Sequence, residues 1–367
     1  MKLKVKLKIE SGKLLIALFA FSTVHCPLSV IAQSGGSFTI TKSVIAGGGG
    51  SAAGGTFTMN GTVGQPVAGT STGGNFNLAS GYWGGGSAAV VTGRTGFDYD
   101  GDRRADLSVY RASNGLWFID RSTAGGFVLQ LGNATDRIAP ADFDGDGKTD
   151  LAVYRPSQGV WYQYNSSTAT YVTTQFGIAE DLPIPGDYDG DGKADIAVYR
   201  PSVGTWFVLR SSGGTAIEQF GANGDVPAPG DYDGDGRNDY AVWRPSNGVW
   251  FERRSTLGDF AIQFGASTDK IVPADYDGDG KMDVGIYRPA QGTWYSVNSS
   301  NGGYPVQVFG LSNDIPVAAD YDGDGRADVG VFRPSDRTWY LNRTTTGLFI
   351  TQFGLTGDKP TPNAFGN

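Results

Sequence analysis

Apolar and polar residues alternate along this chain in short bursts, and no long stretch outside the N-terminus carries helical apolar spacing. One stretch shows the pattern well. Ile184-Pro185-Gly186 runs into an Asp-rich loop, and Ile196-Ala197-Val198-Tyr199-Arg200 follows it. The turn Pro201-Ser202-Val203-Gly204 leads to Thr205-Trp206-Phe207-Val208-Leu209, and a polar turn over 211–214 leads to the run 216–220. Such runs, punctuated by Gly, Pro and Ser, predict four short strands joined by tight turns.

The unit repeats. Asp-rich loops begin at Asp98, Asp142, Asp187, Asp231, Asp275 and Asp320, at separations of 44, 45, 44, 44 and 45 residues. Four strands every 44 or 45 residues is the arithmetic of a propeller blade. A lone blade cannot bury both faces, whereas blades stacked around an axis bury both and protect their edges. The expected fold class is all-β: a six-bladed β-propeller over 96–367, or a seven-bladed one if the segment before it joins the ring. A Trp recurs in every third strand (Trp117, Trp161, Trp206, Trp250, Trp294, Trp339). That recurrence assigns it to packing between blades in preference to a sugar platform. The tail begins another unit, because Asp358-Lys359-Pro360-Thr361-Pro362 matches a first strand and Asn363-Ala364-Phe365-Gly366-Asn367 stands where the loop would be. The first unit has a poor first strand before Phe97, so the C-terminal strand is expected to complete the first blade.

Residues 33–95 are rich in Gly and Ser and hold three strand-like runs, 37–45, 56–63 and 75–83. They predict a small β module, with 84–93 as a linker. Residues 1–32 read as a secretory signal: Lys2, Lys4, Lys6, Lys8 and Lys13 precede an apolar run over 14–24, and Val30-Ile31-Ala32 suits cleavage before Gln33. The apolar run is short for a membrane span. A lipid anchor at Cys26 and an uncleaved N-terminal anchor are the alternatives. The chain is thereby expected to be secreted, extracellular, or held at the cell surface or in the periplasm, with no integral membrane span once processed.

Removal of that segment takes away the one Cys and the one His, Cys26 and His25. Disulfides, Cys or His nucleophile-base pairs and His or Cys zinc sites are then excluded. The segment's five Lys and one Glu also leave with it, so the net charge falls from −8 to −12. An acidic chain without a basic stripe is a poor nucleic-acid binder, so no nucleic-acid partner is expected.

The loops supply the candidate chemistry. In Asp142-Phe143-Asp144-Gly145-Asp146-Gly147-Lys148-Thr149-Asp150, carboxylates occupy positions 1, 3, 5 and 9. Alternating residues of a tight loop project to one side, and converging carboxylates repel unless a cation neutralises them. Hard oxygen donors on a flexible loop favour calcium over zinc or copper, with position 7 adding a backbone carbonyl. The candidate ligands are Asp98, Asp100, Asp102, Arg104 and Asp106 in loop 1 and Asp142, Asp144, Asp146, Lys148 and Asp150 in loop 2. Loop 3 has Asp187, Asp189, Asp191, Lys193 and Asp195, and loop 4 has Asp231, Asp233, Asp235, Arg237 and Asp239. Loop 5 has Asp275, Asp277, Asp279, Lys281 and Asp283, and loop 6 has Asp320, Asp322, Asp324, Arg326 and Asp328. Up to six calcium ions, one per repeat, are expected. A solvated acidic turn is the bland alternative for any one loop. The pattern is not an EF-hand, because position 12 is Val153 and a strand follows. Loop 1 has Arg103 where the others have Gly at position 6, so strain or a weaker site is expected there.

With these loops and the pairs Phe176-Gly177, Phe220-Gly221, Phe264-Gly265, Phe309-Gly310 and Phe353-Gly354, the repeats resemble the FG-GAP/VCBS family, the blades of integrin-α-type propellers. The first unit departs with Leu131-Gly132. The resemblance implies that each loop joins the first and second strands of a blade and that its Asp side chains bind calcium. Family ligands vary, so it leaves the partner open.

Two further series recur. Arg111, Arg155, Arg200, Arg244, Arg288 and Arg333 could form an anion-binding ring, or could each bond a neighbouring blade above a Pro-Ser hairpin turn. Asp136, Asp181, Asp225, Asp269, Asp314 and Asp358 are expected to cap turns. Glu180, Glu218, Glu252, Arg253, Arg254 and Arg343 stand outside the repeat and read as solvated charges or, alternatively, as clues to a specific site. The function expected is a non-enzymatic, calcium-binding module for adhesion to an extracellular glycan or protein. A polysaccharide lyase without His, or a structural surface component, are the alternatives.

Overall fold

In the computed structural model, the structure describes residues 95–363 without a break, and before them only 6–10, 13–17, 48–54, 57–63, 69–73 and 76–80. Two compact units divide the chain at Val90 and Val91.

The second unit is a ring of six four-stranded antiparallel sheets, five of them running in sequence order from first to fourth strand and the remaining one, blade 1, taking its first strand from the C-terminal end of the chain. Blade 3 is representative: Leu182–Pro183, Ile196–Arg200, Thr205–Leu209 and Thr215–Gln219. The second strand is buried almost throughout, whereas the fourth is largely exposed and forms the outer edge. Among the described residues there is no seventh four-stranded sheet.

The ring closes as the tail pattern required. Lys359–Pro360 pairs with Leu107–Arg111 of blade 1, in the register Lys359↔Tyr110 and Pro360↔Val109. Behind it, the Thr361 hydroxyl meets those of Tyr99 and Ser108.

The six Trp are buried, five of them completely. Each packs into the next blade: Trp117 against Leu151 and Val153, Trp206 against Val242, and Trp339 against Leu107 and Val109. Each indole N–H donates to the carbonyl of the Phe or Leu that precedes the recurring Gly, at 2.7–3.2 Å. That Gly has its own steric reason. Gly177 has φ +108°, and a Cβ there would lie 2.7 Å from the Tyr154 hydroxyl. Full burial of a Trp contributes about 3 kcal/mol or more, so these contacts carry much of the blade-to-blade cohesion.

The described residues of the first unit form antiparallel pairs: Lys6–Glu10 with Lys13–Ala17, Gly48–Gly54 with Phe57–Val63, and Gly69–Gly73 with Phe76–Ser80. The runs at 56–63 and 75–83 thus contain strands, while the run at 37–45 and the linker 84–93 lie outside the described residues. Gly48–Gly54, with no apolar alternation, is a strand the pattern missed. It pairs with Phe57–Val63 as a hairpin.

Candidate metal centres

Five of the Asp-rich loops connect the first and second strands of a blade, and loop 1 leads into the second strand of blade 1, whose first strand comes from the tail. The antiparallel topology puts these loops on the same face as the turns between the third and fourth strands. The opposite face carries the turns between second and third strands and the connections from one blade to the next.

The position-1 carboxylate templates its loop. Asp187 accepts the N–H groups of Gly190 and Gly192 at 2.6 and 2.8 Å, and the other five loops repeat the arrangement. Reaching position 6 needs a left-handed backbone. Glycine supplies it in five loops, whereas Arg103 adopts φ +68° in the first. Loop 1 therefore has the common shape, with the expected strain held in its backbone.

The position-9 carboxylate is a structural pin. Asp195 accepts the Tyr188 N–H at 3.0 Å and the Ser211 N–H at 2.7 Å, tying the loop to the outer turn, and all six blades do the same. Burial pushes these carboxyls up, to about 7 for Asp106 and about 6 for Asp150, Asp239, Asp283 and Asp328, with Asp195 raised in the same sense. The ionised form is thus under-compensated by the protein alone.

Positions 3 and 5 are held by residues that sequence reading passed over as a polar turn. Two consecutive hydroxyl residues sit between the third and fourth strands: Ser122-Thr123, Ser166-Ser167, Ser211-Ser212, Ser255-Thr256, Ser299-Ser300 and Thr344-Thr345. In every blade the first hydroxyl donates to the position-5 carboxylate and the second to the position-3 carboxylate, at 2.5–2.9 Å. The constant offsets of 20 and 23 residues were the available signal. Burial acts against Asp100, Asp233 and Asp322, yet donors from Thr123, Thr256 and Thr345 and the following residues hold these carboxyls below the usual range.

Three of the four predicted carboxylates come together in each of five loops. Three carboxylate oxygens lie within 4.8 Å of one another in Asp98, Asp100 and Asp106, in Asp187, Asp189 and Asp195, and in Asp231, Asp233 and Asp239. The close trio is Asp142, Asp144 and Asp146 in loop 2 and Asp275, Asp277 and Asp279 in loop 5, and there is one further cluster. Position 9 joins the trio in some loops and position 5 in others. The fit to a cation rests on more than proximity. Asp233 and Asp322 are 8% and 9% exposed, and the Oδ1 of each is buried with no hydrogen-bond partner. An orphaned carboxylate oxygen beside two others is costly without a cation. The side chains at position 7 do not converge with the trio. Each lies over the position-4 glycine of the preceding loop, as Lys148 does over Gly101 and Arg104 over Gly323.

The recurrent Arg residues require a correction. Their partner is not a neighbouring blade but the recurrent Asp of the same sheet, 19 residues earlier. Arg200 grips Asp181 with both nitrogens at 2.8 and 2.9 Å, and the pairs recur around the ring. Arg111 finds Asp358 from the far end of the chain. Each guanidinium also lies over an aromatic ring, 4.2–4.9 Å from its centroid. The Asp does cap its turn as well: Asp181 accepts the Ile178 N–H at 2.9 Å. The Arg series is therefore committed to the blades and is not a free anion ring.

The charges outside the repeat are also engaged. Arg253 bridges Glu218 of blade 3 and Asp259 of blade 4, and Glu180 accepts the Ser202 hydroxyl. Arg343 lies over Phe349. Glu252 is not a solvated charge: it is 1% exposed and paired with Arg254, with burial raising its carboxyl.

The six-bladed fold and three matched repeats support an FG-GAP repeat propeller. The FG-GAP-like repeat model matches residues 142–198, 187–242 and 231–286. No curated protein matches the chain. Among solved structures, a streptogramin B lyase is 8% identical with a TM-score of 0.48, over 69% of this chain and 80% of that one. A virginiamycin B lyase from Staphylococcus aureus is 6% identical (TM-score 0.45), over 71% of this chain and 88% of that one. An Agrocybe aegerita lectin that recognises non-reducing terminal N-acetylglucosamine is 15% identical (TM-score 0.44), over 71% and 91%. At these values the likenesses carry no argument about chemistry or ligand. Among the described residues, no helix is long and apolar enough to cross a membrane.

Proposed function

We propose that this chain is a secreted, calcium-binding β-propeller that serves as a non-enzymatic binding or adhesion module for an extracellular glycan or protein. The buried, unpartnered oxygens of Asp233 and Asp322 within converging carboxylates carry the calcium half of this reading. The carboxylates at positions 1, 3, 5 and 9 and the main-chain carbonyl at position 7 would hold each ion, which supplies charge neutralisation and stiffens the loop.

The binding half is supported by the face opposite the loops. Its turns are rigidly based on the Arg–Asp pairs, and between blades 5 and 6 they enclose a cleft of about 450 Å³ lined in part by Pro289, Gln291, Leu311, Asn313, Arg333 and Pro334. Catalysis needs an asymmetric set of reactive groups. Here most of the distinctive polar residues are six-fold and bonded to one another, which favours a binding module.

The test is binding of residues 33–367 to a glycan and polysaccharide array, in millimolar calcium and again with chelator, with turnover measured in parallel. Calcium-dependent binding to a defined sugar class without turnover is expected for the glycan branch. Absence of glycan binding would leave the protein partner. Turnover of any polysaccharide would overturn the non-enzymatic reading.

A further inference from the structure

The six loops are not separate on their face of the disc. The N–H of position 8 in each loop donates to the position-1 carbonyl of the loop before it. The bonds are Thr149 to Asp98, Ala194 to Asp142, Asn238 to Asp187, Met282 to Asp231, Ala327 to Asp275 and Ala105 to Asp320. All six are 2.6–2.7 Å. The last joins blade 1 to blade 6, so the series is a closed circuit of main-chain hydrogen bonds.

The chemistry of that circuit is specific. The N–H of position 8 and the carbonyl of position 7 are two ends of one peptide group. Its carbonyl is the main-chain oxygen expected among the ligands of its own loop. Its N–H holds the residue that begins the preceding loop, where a carboxylate ligand stands. A second contact follows the same direction: the position-7 side chain covers the position-4 glycine of that preceding loop. A Cβ on Gly190 would sit 2.9 Å from Arg237 Nε, and one on Gly278 would sit 2.9 Å from Arg326 Cγ. Moving one loop therefore displaces its neighbour.

We infer that the loops bind their cations as a ring of nearest-neighbour-coupled sites, with occupancy of one loop raising the affinity of the two beside it. This rests on the calcium reading above. Ordering the peptide between positions 7 and 8 polarises its N–H and fixes the backbone of the adjacent position-1 Asp. That ligand is then organised before its own ion arrives. The loop across the ring shares no peptide or side-chain contact in this circuit and is unaffected, as in a one-dimensional chain of repeats closed on itself.

The test is calorimetric calcium titration of residues 33–367 and of the loop-5 variant Asp277→Asn. Amide hydrogen exchange is followed in both at saturating calcium. The wild type is expected to give an isotherm steeper than that of independent sites. The variant should lose one equivalent and show two of its remaining sites weakened about 5-fold or more. Exchange should rise at the Met282 and Ala327 amides, which join loop 5 to loops 4 and 6, and stay unchanged at Thr149 across the ring. Independent sites in the wild type, with one equivalent lost and the rest untouched in the variant, would overturn the coupling and leave calcium binding standing. No binding heat and no calcium-dependent protection in the wild type would overturn the calcium reading, and the coupling with it. If Asp277→Asn fails to fold, Asp189→Asn in loop 3 is read in the same way at Ala194 and Asn238.

Discussion

Arg103 shows how a single residue departs from a six-fold pattern without leaving the fold. Its φ of +68° is one that an L-residue with a side chain resists. The Arg103→Gly variant is expected to raise stability by about 1 kcal/mol, read as a higher melting temperature in chelator. A lower melting temperature would show that the Arg side chain does more for the loop than its backbone costs. Position 3 offers the complementary test. Asp233 Oδ2 accepts the Thr256 hydroxyl at 2.6 Å and two main-chain N–H groups. Thr256→Val should weaken calcium at loop 4 by about tenfold, and Thr256→Ser should restore it. Equal affinity of the Val variant and wild type would exclude a positioning role. The Asp clusters were legible because carboxylates recur at alternating positions in every repeat. Their hydroxyl partners were not, since a Ser or Thr in a turn is ordinary and only the fold brings it to the loop.

At the scale of the element, the Arg–Asp pair fixes where a blade begins. The Asp precedes the first strand and the Arg ends the second, so the pair locks the two-residue first strand to a well-buried neighbour. Asp181 is fully buried, and Arg200 is about a fifth exposed. Asp181→Ala should cost about 2 kcal/mol in a denaturant melt, the range for hydrogen bonds to a charged group that is partly screened. A change below about 0.5 kcal/mol would reduce the pair to a surface contact. Both series were visible in the sequence, but a spacing of 19 residues does not say that two strands turn back on one another. The strand Gly48–Gly54 was hidden for a related reason: with no apolar face to mark it, only its hairpin partner reveals it.

For the whole molecule, the repeat period left six or seven blades open and the structure has six four-stranded sheets among the described residues, while the interrupted seventh unit foretold the closure. Lys359–Pro360 supplies the missing first strand, and Arg111 pairs with Asp358 across nearly the full length of the propeller. Truncation before Asp358 should open blade 1 and lower the melting temperature more than any single substitution named here. An unchanged melt would refute closure by the C-terminal strand. A ligand was not legible, because a ring of similar turns presents the same chemistry at every blade.

The most direct measurement of the central claim is a thermal melt of residues 33–367 in millimolar calcium and in excess chelator. At a free concentration about 100 times the dissociation constant, each occupied site adds about 2.7 kcal/mol. The account predicts a melting temperature many degrees higher with calcium, falling as the ion is withdrawn and recovering when it is returned. Superimposable melts in the two conditions would contradict it.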